Sequence, residues 1–265
     1  MTTLAVCGIF KDEGPNLTEW VAYHRAVGVD HFFLYDNEST DNGATILLTG
    51  ALKDYVTVLP MTGRPVQQRA YKHFMDFYAS RWDWTAFIDV DEFIHPIDVD
   101  SVKDLLPRYE AFSAVLLHWL TFGPTGHEKR PEGLVIENYT KRLPEEDPVN
   151  RHVKSLVRRG HLIGLSGNAH VFDTTGPMCN SRGEVRPRAP IQDGVCHELI
   201  CLNHYYTKSR EDWDSKIGRG RPDVPELRAD PEYAVFERYA QLSQLTDDRI
   251  SRYAERIRAM LCLPL

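Results

Sequence analysis

The sequence predicts an α/β fold, a parallel sheet covered by helices, and three observations carry that prediction. Strand and helix patterns alternate through the first 91 residues. An apolar run, Trp84 to Ile88, ends in Asp89-Val90-Asp91, an acidic pair at the kind of place where α/β sheets bind ligands. The chain has 265 residues, 42% hydrophobic and 26% charged, enough for one such domain with a substantial core.

Taken in order, Thr3 to Phe10 reads as a buried opening strand and Lys11-Asp12-Glu13-Gly14 as a polar turn. Pro15 suits a first helical turn, where its missing N–H does no harm. Leu17, Trp20, Val21, His24 and Val27 then recur at helical spacing, and Gly28 is a natural C-terminal cap. His31 to Tyr35 is a second strand, Asp36 to Gly43 a turn-rich loop, Ala44 to Leu52 a helix, and Tyr55 to Leu59 a third strand. Val66 to Ser80 reads as a helix with Ala70, Phe74 and Phe77 inward, and the Asp-x-Asp strand is the fourth. Beyond it, Ala114 to Trp119, Leu134 to Thr140, Val153 to Arg158 and Glu198 to Leu202 read as strands. Residues 173–195, rich in Gly and Pro with little periodicity, suggest a mobile active-site loop. Ile250, Tyr253, Ile257 and Met260 form the apolar stripe of a closing helix, which is core or a docking face for a partner or membrane surface. These elements divide a single domain into a nucleotide-binding half (1–95), an acceptor and metal half (96–225) and a helical C-terminus (226–265).

Composition narrows the function. A formal charge of −7 argues against generic nucleic-acid binding. No stretch approaches the roughly 20 apolar residues of a membrane span. Met1-Thr2-Thr3-Leu4 lacks the basic-then-apolar start of a signal peptide. Five cysteines suggest free thiols in a reducing, cytoplasmic setting. Cys179, Cys196, His197, Cys201 and His204 lack the paired spacing of a zinc site.

In a strand, residues two apart share a face, so Asp89 and Asp91 are expected to project together. Two adjacent carboxylates repel, and a hard cation, Mg²⁺ or Mn²⁺, relieves this and usually brings substrate phosphates. The plain alternative is two solvated acids at a strand end. An acid after an apolar strand is also the nucleophile of aspartate-dependent phosphatases, although here three strands precede it. Lys208, Arg210, Lys216, Arg219 and Arg221, interleaved with Gly218 and Gly220, suggest an anion site.

Several blocks carry a resemblance. They are Lys11-Asp12-Glu13, Glu19-Trp20-Val21-Ala22-Tyr23-His24, the run from Gly28 to Asp41, Gln68-Arg69-Ala70-Tyr71-Lys72-His73 and Phe87 to Phe93. Phe122-Gly123-Pro124-Thr125-Gly126-His127 and Asn203 to Ser209 complete the set. In this order and spacing the chain resembles the nucleotide-sugar glycosyltransferases of the GT-A fold, and within them family 92 and related family 2-like enzymes. The resemblance implies a Rossmann-like mixed sheet flanked by helices, with a helical C-terminus. It implies metal-dependent, inverting transfer of a hexose from a nucleotide-diphosphate sugar, a UDP-sugar first, to a glycan or glycolipid hydroxyl. The setting is polysaccharide or glycoconjugate synthesis at the cytoplasmic face of a membrane; an inactive sugar-nucleotide-binding module is the alternative.

The same resemblance assigns the metal to Asp91, Asp89 and His204, with His170 as rival to His204. It assigns the nucleotide to Asp12, Glu13, Asp36, Gln68, Arg69 and Asp89. If His204 completes the metal shell, the loop after it crosses close to the diphosphate, so Lys208, Lys216 and Arg219 are expected to neutralise its oxygens and residues 205–221 to order on donor binding. An inverting transfer needs a base, for which Glu128, His127 and Asp173 are the candidates.

Overall fold

The computed structural model describes residues 1–220 and 231–262. Its first part alternates as expected: β1 (Leu4–Phe10), α1 (Gly14–Ala26), β2 (His31–Asp36), α2 (Gly43–Thr49), β3 (Val56–Pro60), α3 (Gln67–Phe77) and β4 (Trp84–Phe87). There follow β5 (Glu92–Pro96), β6 (Ala114–Thr121), α4 (Val135–Asn138), β7 (Lys141–Arg142), β8 (Val153–Arg158), β9 (Leu162–Leu165) and β10 (Phe172–Thr174). The chain continues through β11 (Met178–Cys179), β12 (Val185–Arg186) and β13 (Ile200–His204). It closes with α5 (Arg210–Arg219), α6 (Pro231–Leu242), β14 (Leu245–Thr246) and α7 (Ala254–Leu261).

The main sheet runs β12-β11-β6-β8-β4-β1-β2-β3, with β13 paired to both β6 and β5. β3, β2, β1 and β4 are parallel, and β8 lies antiparallel between β4 and β6. The sheet is therefore mixed and Rossmann-like. All seven residues of β1 are buried because it is covered on both faces. Leu4, Val6 and Phe10 face the side of Trp20 and Tyr23, whereas Ala5, Cys7 and Ile9 face Tyr71 and Phe74 of α3. Gly8 stands where the chain leaving β4 comes close: a Cβ there would lie 3.0 Å from the Ile88 carbonyl oxygen.

The loop after β2 is tied to the end of β1. Asp41 accepts the N–H of Gly14 at 2.7 Å and that of Gly43 at 3.0 Å, so one carboxylate serves the starts of both α1 and α2. A Cβ on Gly43 would lie 2.9 Å from Gly14 Cα, which is why small residues meet there. The Asp12 carboxylate accepts the Thr40 N–H at 2.6 Å.

Several expectations are corrected. Phe77 is 60% exposed, and the buried set of α3 is Gln67, Ala70, Tyr71 and Phe74. The expected strand Leu134 to Thr140 is the short helix α4, because Glu19 on α1 accepts the N–H groups of Val135 and Ile136 at 2.7 and 3.1 Å. Residues 173–195 are not a mobile active-site loop: β11 pairs with β6 and β12 with β11, which makes this segment an edge of the sheet. The basic segment after His204 is the helix α5, started by a Ser209–Asp212 capping box and anchored by the fully buried Trp213. Of its expected members, Arg221 lies outside the described residues. Among the described residues no helix is long and apolar enough to cross a membrane.

Glu19 yields a prediction. Burial pushes its carboxyl up to about 7, against the two N–H groups it accepts. A raised acid favours the folded state below its unfolded pKa, and that stability is lost as pH rises through the folded value. Between about pH 5.5 and pH 8.5 the loss is about 2 kcal/mol. Denaturant unfolding at both pH values is expected to show it in the wild type and not in Glu19→Gln; equal pH dependence in the two would exclude Glu19 as the source.

Candidate functional site

A cavity of about 800 Å³ opens beyond the C-terminal ends of β1, β2 and β4 and is roofed by α5, within the size range of ligand pockets. Asp89, Asp91, Glu13, Gln67, Gln68, Arg69, Lys154, His170, His204, Lys216 and Arg219 all line it. Asp89 and Asp91 lie past β4 in the turn to β5. They are not two residues of a strand, and their side chains take different partners.

Asp89 accepts Gln67 Nε2 on Oδ1 at 2.8 Å and Lys154 Nζ on Oδ2 at 2.7 Å. The backbone N–H of Asp89 donates to Glu92, whose other oxygen accepts the Trp119 indole N–H at 2.6 Å. The turn is thus fixed by Gln67, Glu92, Trp119 and Lys154, none of which stands among the expected site residues. Only Lys154 left a trace in the sequence: a lysine among the apolar residues of a strand that is buried on both faces. With both carboxylate oxygens engaged, Asp89 is poorly placed as a phosphatase nucleophile.

Asp91 accepts Lys216 Nζ on Oδ2 at 2.5 Å, and its Oδ1 lies 3.7 Å from His204 Nε2. Burial pushes the Asp91 carboxyl up, but the Lys216 ammonium above all outweighs it and holds it well below the usual carboxylate range. Burial also lowers His204, leaving a neutral ring. Glu13 is buried between Lys208, at 3.7 Å, and Arg219. Burial raises its carboxyl, but the two cations bring it below the ordinary value. Each acid at this site is therefore matched by a basic side chain.

Other expected residues fall elsewhere. Asp36 accepts the Ser39 N–H at 2.9 Å, a turn-building contact. Neither Asp36 nor Asp12 lines the cavity, since their carboxylates hold the loop after β2; Asn37 lines it instead. Lys208 is buried against Glu13 and does not line it. The three expected bases are also outside. Glu128 is exposed, His127 pairs with the Asn138 carbonyl at 3.1 Å, and Asp173 pairs with Arg188 at 2.7 Å. The cysteines are free, and among the described residues no three His, Cys, Asp or Glu side chains form a metal cage.

Comparison with known proteins adds a family. Residues 2–160 match the model of glycosyltransferase family 92, a span that includes Asp89, Asp91 and Lys154 and stops short of His170 and His204. A glycosyltransferase family 92 protein of Oryza sativa subsp. japonica is 31% identical over 160 residues, 59% of this chain and 27% of that protein. One of Arabidopsis thaliana is 28% identical over 234 residues, 82% of this chain and 37% of that protein. The chain thus spans about a third of the length of the curated relatives it matches. Among solved structures, S. aureus TarS residues 1–349 in complex with UDP is similar at 13% identity and a TM-score of 0.41, over 60% of this chain and 47% of that one. Glucosyl-3-phosphoglycerate synthase from Mycobacterium tuberculosis, in complex with Mn²⁺, UDP and glucosyl-3-phosphoglycerate, is similar at 15% identity and a TM-score of 0.30, over 44% of each chain.

Proposed function

The chain belongs to glycosyltransferase family 92, and from that premise we propose that its cavity binds a nucleotide-diphosphate sugar, a UDP-sugar first, and transfers the sugar to an acceptor hydroxyl. The observation that carries the reading is the meeting of Asp91, His204, Lys216 and Arg219 in one cavity at the ends of the parallel strands. Such a wall offers a carboxylate and a neutral imidazole to a divalent cation and two basic side chains to a diphosphate.

The residues fit a hard cation. The 3.7 Å between His204 Nε2 and Asp91 Oδ1 is longer than a hydrogen bond, and His204 Nδ1 is buried without a partner. Asp91 and His204 would hold the ion, and Asp89, already engaged twice, would not. Two protein ligands are few, which suits a Mg²⁺ or Mn²⁺ ion that arrives with substrate phosphates. When bound, it would neutralise charge that grows on the diphosphate as the sugar leaves.

The chain's own residues do the rest. Lys216, which holds Asp91, and Arg219, which holds Glu13, both sit on α5 above the cavity. With the ion on Asp91 and Lys208 still beside Glu13, shifting either cation from its carboxylate to a diphosphate oxygen would keep every charge paired. Lys154 and Gln67 keep the acidic turn in place while this happens.

The test is binding of UDP in the presence of Mn²⁺. It is expected to raise the melting temperature of the wild type, and Lys216→Ala and Arg219→Ala are each expected to weaken UDP by about tenfold, the scale of one charged hydrogen bond. Absence of UDP binding with Mn²⁺ and with Mg²⁺ alike would sink the reading.

A further inference from the structure

We propose that His170 is the general base that takes the proton from the acceptor hydroxyl. The inference rests on the transferase reading and adds to it the group whose place in the sequence Glu128, His127 and Asp173 had been expected to fill. His170 lines the same cavity. Its Nδ1 lies 2.9 Å from the Val153 carbonyl oxygen. A carbonyl only accepts, so Nδ1 carries the hydrogen and Nε2 is left as a bare lone pair.

The ring is held in place. The His170 N–H donates to Asn168 Oδ1 at 2.8 Å, and its carbonyl accepts the Ser155 hydroxyl at 2.8 Å. The imidazole packs at a tilt against Trp119, with ring centres 5.6 Å apart. Burial, with the nearby Lys154 ammonium, lowers its pKa to about 4, so the ring is neutral near pH 7. The carboxylates of the cavity are otherwise committed: Asp89 to Gln67 and Lys154, Asp91 to Lys216, and Glu13 to Asn16, Lys208 and Arg219. His204 Nε2 faces Asp91. His204 has no ring nitrogen in a hydrogen bond either, but the ion would claim it together with Asp91; His170 Nε2, with Nδ1 turned to the Val153 carbonyl, is the cavity-lining imidazole nitrogen left for the acceptor.

The step balances without another reagent. The acceptor O–H proton moves to His170 Nε2, and the freed oxygen pair forms the new bond to C1 of the donor sugar. The bond from C1 to the diphosphate breaks with its electron pair going to the diphosphate oxygen. His170 then returns its proton to water.

Two measurements test it on the full chain. The first is ¹⁵N NMR of the labelled protein near pH 7, where the His170 ring is expected to show a protonated Nδ1 and an unprotonated Nε2; a protonated Nε2 overturns the proposal. The second follows Mn²⁺ and UDP binding, and UDP release from UDP-glucose and UDP-galactose with water as acceptor, in wild type, His170→Gln and His170→Ala. Both variants are expected to bind Mn²⁺ and UDP within about twofold of wild type and to release UDP about 10²–10⁴-fold more slowly, with added imidazole restoring part of the rate in His170→Ala. Release within about tenfold of wild type, or joint loss of Mn²⁺ binding and release, overturns the base role, the latter by making His170 a ligand. A wild type that binds no UDP is the distinct failure of the transferase reading itself.

Discussion

Replacing Asp91 with asparagine is expected to abolish sugar transfer, with a loss on the order of 10²–10³-fold or more, the scale of removing one group that stabilises developing charge. An amide keeps the shape of the side chain and removes the charge that would hold the cation. Mn²⁺ affinity is expected to fall with it. The fold should survive. Lys216 loses its carboxylate, but its Nζ is also held by the Tyr206 carbonyl at 2.8 Å and lies 3.9 Å above the Tyr206 ring. The native carboxyl is held far below the ordinary range, so the stability that it brings is present above its unfolded pKa and is lost only as pH falls through the depressed folded value. A neutral-pH assay thus compares a charged carboxylate at this position with an uncharged amide. Near-normal UDP release by the variant, or by wild type in excess chelator, would exclude metal-dependent transfer.

The fold was legible because its strongest signals are local and repeated. β1 to β4 and the helices between them announce themselves through short apolar runs that alternate with helical spacing and polar turns, and the sheet then buries those runs. The errors fall where a distant residue decides. Glu19 turns Leu134 to Thr140 into the start of a helix from more than a hundred residues away. The pairing of β11 to β6 makes a sheet edge of a segment that looked like a loop. Ser209 and Asp212 do form a local capping box, a signal present in the sequence but hidden by reading the following glycines as a flexible loop.

The site was legible only in part. Asp89, Asp91, His204, Lys216 and Arg219 do meet, since an acidic turn after an apolar strand and a histidine ending another strand are visible as patterns. The neighbours that set the electrostatics are not. Lys154 and Glu92 come from β8 and β5, strands that do not pair with each other, and meet only through their side chains at 3.8 Å; a buried lysine in a strand has no sequence signature beyond its apolar flanks. Asp12 and Asp36 show the converse. Both are acids at or just past strand ends, but their oxygens are used by the loop after β2, and only the three-dimensional contact separates that use from ligand binding.

Lys154→Met is expected to cost the most stability of any single change at the site, about 3–5 kcal/mol, or a fall in melting temperature on the order of 10 °C. Lys154 is 1% exposed, with Nζ 2.7 Å from Asp89 and 3.8 Å from the fully buried Glu92. Burial opposes its charge, but the two carboxylates more than reverse this and push the ammonium pKa well up. Burial pushes the Glu92 carboxyl up and Lys154 pulls it back; without the lysine, no cation among the described residues is close, and only the N–H groups of Asp89 and Trp119 oppose burial. Methionine fills a similar volume, so the loss reports charge and not a cavity. In the variant, a Glu92 raised further above its unfolded pKa favours the folded state at low pH, and that stability is lost as pH rises. The difference between wild type and variant is therefore expected to shrink from about pH 8 to about pH 5. Adding Glu92→Gln should recover at least about 1 kcal/mol in a double-mutant cycle, although the amide gives up one of the two N–H groups that Glu92 accepts. A loss below about 1 kcal/mol, or one that does not change with pH, would mean that water reaches these carboxylates and that Lys154 does not hold the acidic turn in place.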